Sequence, residues 1–304
     1  MTMGLDGIFG TAPAPTTLAP VERVWKEIVE CPPPGIYYDI PAQTYHSWPA
    51  ISSTLLKAYA QLPSTARIPY IPGDDANIGS GIHAYSLQGR AGLENECFIL
   101  PASCEGKSKA ALAERAEYEL KHGGKALLPP VYGPEKIPSM EVLQGVDDSL
   151  QAHPKVGPIL RNSQKEVSLV WIDEETGCIC KARLDIWDGS IIWDIKKCRA
   201  ISAFPWQMKD LEYYIQAGFY SVGAIACGLP AVAFGFIPCE AVPPYQVACG
   251  YCDPDKLEAA KINAQRIVGL VKQSQLTGNW PNFKVPEIIY NLDDIQPDDL
   301  VQIY

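Results

Sequence analysis

Leu184-Asp185-Ile186-Trp187-Asp188-Gly189-Ser190-Ile191-Ile192-Trp193-Asp194-Ile195-Lys196 reads as two short strands joined by a tight turn. Asp188-Gly189 is a two-residue hairpin signal, because a type I′ turn needs positive φ at both central positions. With that pair at the tip, Trp187 faces Ser190, Ile186 faces Ile191, and Asp185 faces Ile192. Side chains alternate along a strand. Asp185, Ile192, Asp194 and Lys196 therefore share one face with Arg183, and Leu184, Ile186, Ile191, Trp193 and Ile195 share the other. The second face is wholly apolar and belongs in a core, which a layer of helices must cover.

Two carboxylates and an ammonium are thus held on the back of a hydrophobic hairpin. In this register Asp185 and Asp194 are diagonal neighbours, near enough for both to reach one cation. A hard ion such as Mg²⁺ prefers oxygen ligands and keeps several waters. It can activate a water and offset charge on a phosphate under attack. Lys196, two residues on, is placed to position the nucleophile or to stabilise the negative transition state. The same spacing also fits an ordinary solvent-facing strand with an Asp194–Lys196 salt bridge.

Upstream, Glu166–Ile172 and Cys178–Ile186 read as strands around a turn at Asp173–Gly177, and Ile191–Lys197 is a third strand. A long helix then carries Gln216 and Tyr220 four apart on one side, with Ile215, Phe219, Val222 and Ala226 as the opposite, core-facing stripe. The stretch from Tyr213 to Cys239 holds no charged residue, but Gly228-Leu229-Pro230 cuts it as a helix stop. It reads as a helix and a core strand, Ala231–Ile237, rather than a membrane span. A strand near Gln246–Tyr251 and a helix at Pro254–Thr277 come next.

Toward the N-terminus, Ser52 and Ser53 precede a capped helix at Thr54–Tyr59. Gly79-Ser80-Gly81 reads as a turn launching a helix with His83, a candidate nitrogen ligand for the same metal, although a lone His is commonly structural. Residues 105–126 and Met140–Gln151 are further helices. Lys107, Lys109, Arg115, Lys121 and Lys125 on the first of these could face a phosphate backbone, or simply form a solvated helix face. Arg67 is a further candidate phosphate contact, and Glu166 a further candidate carboxylate. Helices, an antiparallel meander, a helix and a strand make an α/β order with a mixed sheet.

The bulk numbers set bounds. The 304 residues suffice for one large domain or at most two. Residues 1–34, rich in Pro, Ala, Thr and Gly, read as a flexible leader without a secretory signal. A net charge of -10 argues against a uniformly basic nucleic-acid wrapper, though a local basic groove remains compatible with it. Ten scattered cysteines fit a reduced, cytoplasmic compartment. Cys249 and Cys252 could be half of a zinc or iron–sulfur site, but a second pair at suitable spacing is missing.

Together these residues resemble the PD-(D/E)XK nuclease superfamily, with Asp185 and Asp194-Ile195-Lys196 matching its signature. The match is closest to RecE-type exonucleases (exodeoxyribonuclease VIII) and their phage relatives. Pro34–Pro41 with Tyr45-His46 looks like the start of that nuclease domain, and Gly79–His83 its histidine motif. Glu166–Gly177 is similar to the strand and turn before its first aspartate, Gln216-Ala217-Gly218-Phe219-Tyr220 to its glutamine–tyrosine helix, and Pro243-Pro244-Tyr245 to its later sheet. The resemblance implies a restriction-endonuclease-like core, a central mixed β-sheet flanked by helices, over residues 35–290, with a C-terminal tail at 291–304.

It also implies Mg²⁺-dependent hydrolysis of DNA, with Mn²⁺ able to substitute, from the 5′ end of one strand of a duplex. His83, Asp185, Asp194 and Ile195 would serve the metal. Lys196 would act on the water and phosphate, Glu166 would assist, and Gln216 and Tyr220 would support phosphate binding. Double-stranded DNA ends, a RecT-like single-strand annealing protein and a homo-oligomeric ring are the implied partners, in a bacterial cell and of phage or prophage origin. The chain departs from the pattern in having Leu184 before Asp185 where the signature has proline, and in lacking the long N-terminal extension of the largest RecE proteins. The clustered cysteines of iron–sulfur nucleases are not matched either, so no cluster is expected.

Overall fold

The computed structural model describes residues 30–282. Most of the expected leader, the tail at 291–304, and residues 283–290 of the expected domain lie outside them. The chain runs through β1 (Gly35–Tyr37), α1 (Ala42–Ser47), α2 (Ser53–Gln61), α3 (Asp74–Glu96), β2 (Cys97–Ile99) and α4 (Lys109–Lys121). Next come β3 (Ala126–Leu128), β4 (Val131–Tyr132), β5 (Ile137–Pro138), α5 (Ser139–Ala152) and α6 (Val156–Asn162). The meander is β6 (Gln164–Ile172), β7 (Ile179–Trp187) and β8 (Ile191–Cys198). It leads into α7 (Phe204–Asp210), α8 (Tyr213–Ala226), β9 (Ala233–Glu240), β10 (Gly250–Tyr251) and α9 (Pro254–Thr277).

Six strands form one sheet in the order β1-β6-β7-β8-β9-β10. Every neighbouring pair is antiparallel except β8 and β9, so the sheet is mixed. A parallel pair needs a crossover, and α7 and α8 supply it. One side of the sheet packs on α2, α8 and α9 through Leu56, Leu184, Ile192, Phe219, Phe234 and Val268. The other packs on α3, α5 and α6 through Ile82, Leu143, Leu160, Ile186, Trp193 and Ile195. The expected fold class, α/β with a central mixed sheet flanked by helices, is the observed one. All ten cysteines are free thiols. Among the described residues no helix is long and apolar enough to cross a membrane.

The hairpin differs from the expected register. Ile186 pairs with Trp193 and Trp187 with Ile192, a slip of two residues. The cause is Asp188, whose Oδ1 accepts from the N–H groups of Ser190 (3.0 Å) and Ile191 (2.8 Å), while Oδ2 accepts from Trp193 Nε1 (2.9 Å). The aspartate side chain organises a wider loop, in which Gly189 alone takes positive φ (103°). A slip of two preserves the side-chain alternation between the strands, whereas a slip of one would have reversed it.

The single apolar face is also corrected. Leu184 packs with Ile192 under α8, whereas Ile186 packs with Trp193 and Ile195 under α3 and α5. The switch of sides falls at Asp185, across from Glu166. There the pairs Lys165↔Ile186 and Val167↔Leu184 flank a residue with φ 55°. A left-handed residue inside a strand kinks it and turns the next side chains to a new direction.

Other expectations shift for identifiable reasons. Gly79-Ser80-Gly81 is no turn but lies inside α3. A Cβ on Gly81 would stand 2.6 Å from Leu128 Cδ2, so this glycine serves close packing instead. The long helix after the third strand is two, broken at Glu212 (φ 54°). The helix over 105–126 shortens to α4, capped by Ser108, and the strand near Gln246–Tyr251 shortens to β10. In α8, Val222 is only half-buried and Ala226 is exposed, while Gln216 and Tyr220 are buried, because their side of the helix faces the sheet, Gln216 reaching Asp194 of β8 and Tyr220 lying against Phe234 of β9.

The α8–α9 crossing rests on Gly218, where a Cβ would lie 2.3 Å from the Ala260 carbonyl oxygen. Backbone cannot step aside as a side chain can. Gly218→Ala is expected to destabilise the protein by about 1–3 kcal/mol through overpacking. Denaturant titration would check this, and an unchanged midpoint would mean the two helices can separate freely.

Candidate active site

β7 and β8 are paired only at Ile186–Trp193 and Trp187–Ile192 and then part. In the gap, the Asp185 carboxylate replaces a backbone partner: its Oδ2 accepts from the Ile195 N–H at 2.9 Å. Farther along, Ile51 fills the open edge of β7, donating to the Ile179 carbonyl (2.9 Å) and accepting from the Lys181 N–H (2.8 Å). The segment before Ile51 is pinned by the buried Lys181 ammonium, which donates to the carbonyls of Tyr45, His46 and Trp48 at 2.8, 3.1 and 2.7 Å.

At the parting of the strands the expected residues meet. Asp194 projects from β8 toward α8, 1% exposed, and its Oδ1 accepts from Gln216 Nε2 at 2.5 Å. Lys196, on the same face, is ion-paired to Asp194 Oδ2. His83 reaches in from α3, with Nδ1 3.2 Å from Asp185 Oδ2. Tyr220 is buried one turn after Gln216. Glu166 is ion-paired to Arg183, which also reaches Glu96 at 3.2 Å, so it adjoins the cluster behind a guanidinium. Ile195 buries its side chain on the opposite face and presents only backbone to this site.

The electrostatics follow from burial and pairing. Burial pushes the Asp194 carboxyl up and the charge of Asp185 adds to this, outweighing Lys196. Burial acts on Asp185 in the same sense, but His83, Lys196 and the Ile195 N–H together hold it below the usual range. For His83, burial favours the neutral ring, yet the Asp185 carboxylate outweighs it and the imidazole is pushed up to about 9. The Lys196 ammonium is opposed by burial and held by Asp194 and Asp185, with a net rise. Glu166 is raised by burial despite Arg183. Two carboxylates pushed in opposite directions at one place is a functional-site signature.

The two carboxylates are oxygen donors of the kind hard Mg²⁺ and Mn²⁺ take, and the His83 imidazole beside them is a softer donor. Asp194 Oδ2 is buried and accepts no directed hydrogen bond, the Lys196 ammonium beside it supplying charge rather than direction. Among the described residues no three His, Cys, Asp or Glu side chains converge on one point. Lys196 and the Ile195 N–H engage the carboxylates instead. The two carboxylates have the chemistry such an ion takes, while in this structure they are engaged by His83, Gln216, Lys196 and the Ile195 N–H.

Several neighbours escaped the sequence reading. Lys57 of α2 and Lys196 both lie over the Tyr213 ring, 5.4 and 4.9 Å from its centroid. Burial and the charge of Lys196 bring Lys57 down to about 8. Ser53, one turn before Lys57, is buried on the same side of α2. The pattern Ser53–Lys57 after a capping Ser52 was the available signal. Lys197 points the other way, to Asp75 at 2.6 Å and Tyr132 at 2.9 Å, tying β8 to the start of α3. Of the suggested phosphate contacts, Arg115 is committed to Asp74 at 3.1 Å and Lys125 to the Glu94 carbonyl at 2.6 Å. Arg67 lies over Trp280 at 5.8 Å.

No protein-family model matches the sequence, and no curated protein matches it. Among solved structures, a chain called "Putative exonuclease" from Eubacterium rectale is similar at a TM-score of 0.49 and 12% identity, covering 84% of this chain and 94% of its own. The protein SSO0001 is similar at 0.28 and 14%, covering 71% of this chain and 84% of its own. The functional reading rests on the side chains of this chain and not on either likeness.

Proposed function

We propose that this chain is a metal-dependent deoxyribonuclease of the PD-(D/E)XK kind, a RecE-type exonuclease that hydrolyses one strand of linear duplex DNA from its 5′ end. The observation that carries this reading is the meeting of Asp185, Asp194 and Lys196 where β7 and β8 part, with His83 and Gln216 bonded to the two carboxylates. Asp185 and Asp194 would hold Mg²⁺ or Mn²⁺, assisted by His83 and the Ile195 carbonyl. A bound ion supplies Lewis-acid charge and an acidified water there.

The protein's own groups have distinct tasks. Gln216 fixes the Asp194 carboxylate in one orientation, and the Ile195 N–H does the same for Asp185. Lys196 stays protonated among carboxylates and can shift toward phosphate oxygens, where negative charge builds as water attacks phosphorus and the bond to the leaving oxygen breaks. Buried Tyr220 would steady the α8 side of the phosphate site, and Glu166 would hold Arg183 at its rear. The 3′ overhang would pass to a RecT-like annealing protein. A homo-oligomeric ring in a bacterial cytoplasm, of phage or prophage origin, would let a chain of net charge -10 gather its basic groups in a channel.

Digestion of linear duplex DNA labelled separately at its 5′ and 3′ ends, with Mg²⁺, Mn²⁺ or EDTA, tests this. Early metal-dependent release of the 5′ label with closed circles untouched is the expected result. Cutting of closed circles would replace the exonuclease reading with an endonuclease one, and no cleavage with either metal would remove the enzymatic reading altogether.

A further inference from the structure

Lys57 and Lys196 lie over one tyrosine ring at this site, while Lys197 points to the other side of β8. Lys196 is paired to Asp194, and Lys197 to Asp75. Lys57 has no carboxylate within ion-pair distance among the described residues; its ammonium lies over the Tyr213 ring, 5.4 Å from the centroid. The same ring also carries the Lys196 ammonium, 4.9 Å from its centroid. A ring quadrupole attracts one cation modestly and does not cancel the repulsion between two. Like charges held together in a partly water-excluded place are unfavourable until an anion lies between them.

The arrangement is built, not incidental. Ser52 caps α2, its Oγ accepting from the Leu55 N–H at 3.5 Å. Leu56 is fully buried, and the Tyr59 hydroxyl is 2.9 Å from Ser274 Oγ of α9. These contacts fix the rotation of the helix and turn the Ser53–Lys57 side toward α8. Tyr213 is held in turn by Gln207, whose Nε2 lies 3.3 Å from the tyrosine hydroxyl while donating to the Lys197 carbonyl at 2.8 Å. α2 and β8 thus hold the two ammoniums within reach of one anchored ring, Tyr213.

We propose that Lys57 and Lys196 form a two-ammonium seat for the DNA backbone, in which Lys57 binds a phosphate next to the one being cleaved. This rests on the nuclease reading above. Lys57 lies farther from Asp194 than Lys196 does and takes no part in the bond-breaking step. It holds the strand so that the scissile phosphate lies at the carboxylates. A contact of that kind is equally strong before and during the reaction, so it governs KM and leaves kcat nearly unchanged. Each phosphate bound by a lysine also releases condensed counterion, which makes affinity fall with salt.

The experiment uses the full chain and a short fluorescent 5′-phosphorylated duplex. Binding is followed by anisotropy in EDTA across a series of salt concentrations, and cleavage is followed separately with Mg²⁺. Lys57→Ala is expected to weaken binding and raise KM by about tenfold, and to reduce the slope of log affinity against log salt by about 1. Lys57→Arg should recover both, and Lys256→Ala, an exposed lysine on α9, should change neither. A loss of activity with salt slope and KM unaltered would mean Lys57 is structural, and thermal melting of each variant would identify a folding defect. Cleavage by the wild type with full binding by Lys57→Ala overturns this proposal alone. A wild type that neither binds nor cuts DNA overturns the nuclease reading with it.

Discussion

Asp194→Asn is expected to lower the rate of metal-dependent DNA cleavage by about 10²–10³-fold or more, the loss that accompanies removal of one charge-stabilising group from a preorganised site. Asparagine is the informative replacement. Asp194 is 1% exposed, and alanine would leave Gln216 without its acceptor in a buried place. Asparagine keeps an oxygen for Gln216 and removes only the charge. Because burial and Asp185 both oppose that charge, its loss offsets the weakened pairing of Lys196. The melting midpoint should stay within about 4 °C of wild type, the shift produced by ~1 kcal/mol in a chain of this size. Single-turnover digestion of end-labelled duplex, with thermal melting of the same preparations, reads both quantities. Wild-type cleavage by Asp194→Asn would remove Asp194 from the site; loss of cleavage together with a collapsed midpoint would assign it a structural role.

Trp193→Ala is expected to destabilise the protein by ~3–5 kcal/mol, the upper range for core truncations. Trp193 is 2% exposed, and its ring lies 4.8 Å from that of Tyr251. Gly235 on β9 makes room for it, since a Cβ there would come within 2.4 Å of Trp193 Cε3. The indole also donates to Asp188, so truncation empties a cavity and loosens the loop that sets the hairpin register. Trp193→Phe keeps most of the volume and loses the N–H, and should cost about 1 kcal/mol for the hydrogen bond plus the smaller ring. Guanidinium unfolding of the three proteins would rank them. A Trp193→Ala loss below that of Trp193→Phe would show that the pocket collapses around the void.

How much of the molecule was legible in its sequence depends on the range of the forces involved. α9 was readable over its whole length, Pro254–Thr277, because Asp253, Pro254 and Gly278 mark its ends locally. Asp194 and Lys196 share a face for the equally local reason of strand alternation. The register of β7 on β8 was not readable from Asp188-Gly189 as a turn dipeptide, since Asp188 spends its side chain on the loop and on Trp193. Gly81 reads as a turn in the sequence because a glycine that admits a neighbour, here Leu128, leaves the same trace as one that bends the chain. Lys57 and Tyr213 meet only through the packing of α2 on α8, which no local pattern encodes. Glu166 was recognised as a carboxylate of interest, but its positive φ depends on its place across from Asp185.

The lodging of Ile51 in the open edge of β7 bears on how the chain acquires its shape. Ile51 and Cys180 are distant in sequence, so their pairing closes a large loop, whose entropy must be met before the contact rewards it. The hairpin at Asp188 is local and can form early. During folding, therefore, β7 has β6 on one flank and a bare row of N–H and C=O groups on the other until the N-terminal segment arrives. A bare strand edge is where foreign strands add. Refolding at high protein concentration should lose material to aggregates through this edge, and a change that speeds docking of residues 45–51 should raise the yield without touching the finished structure.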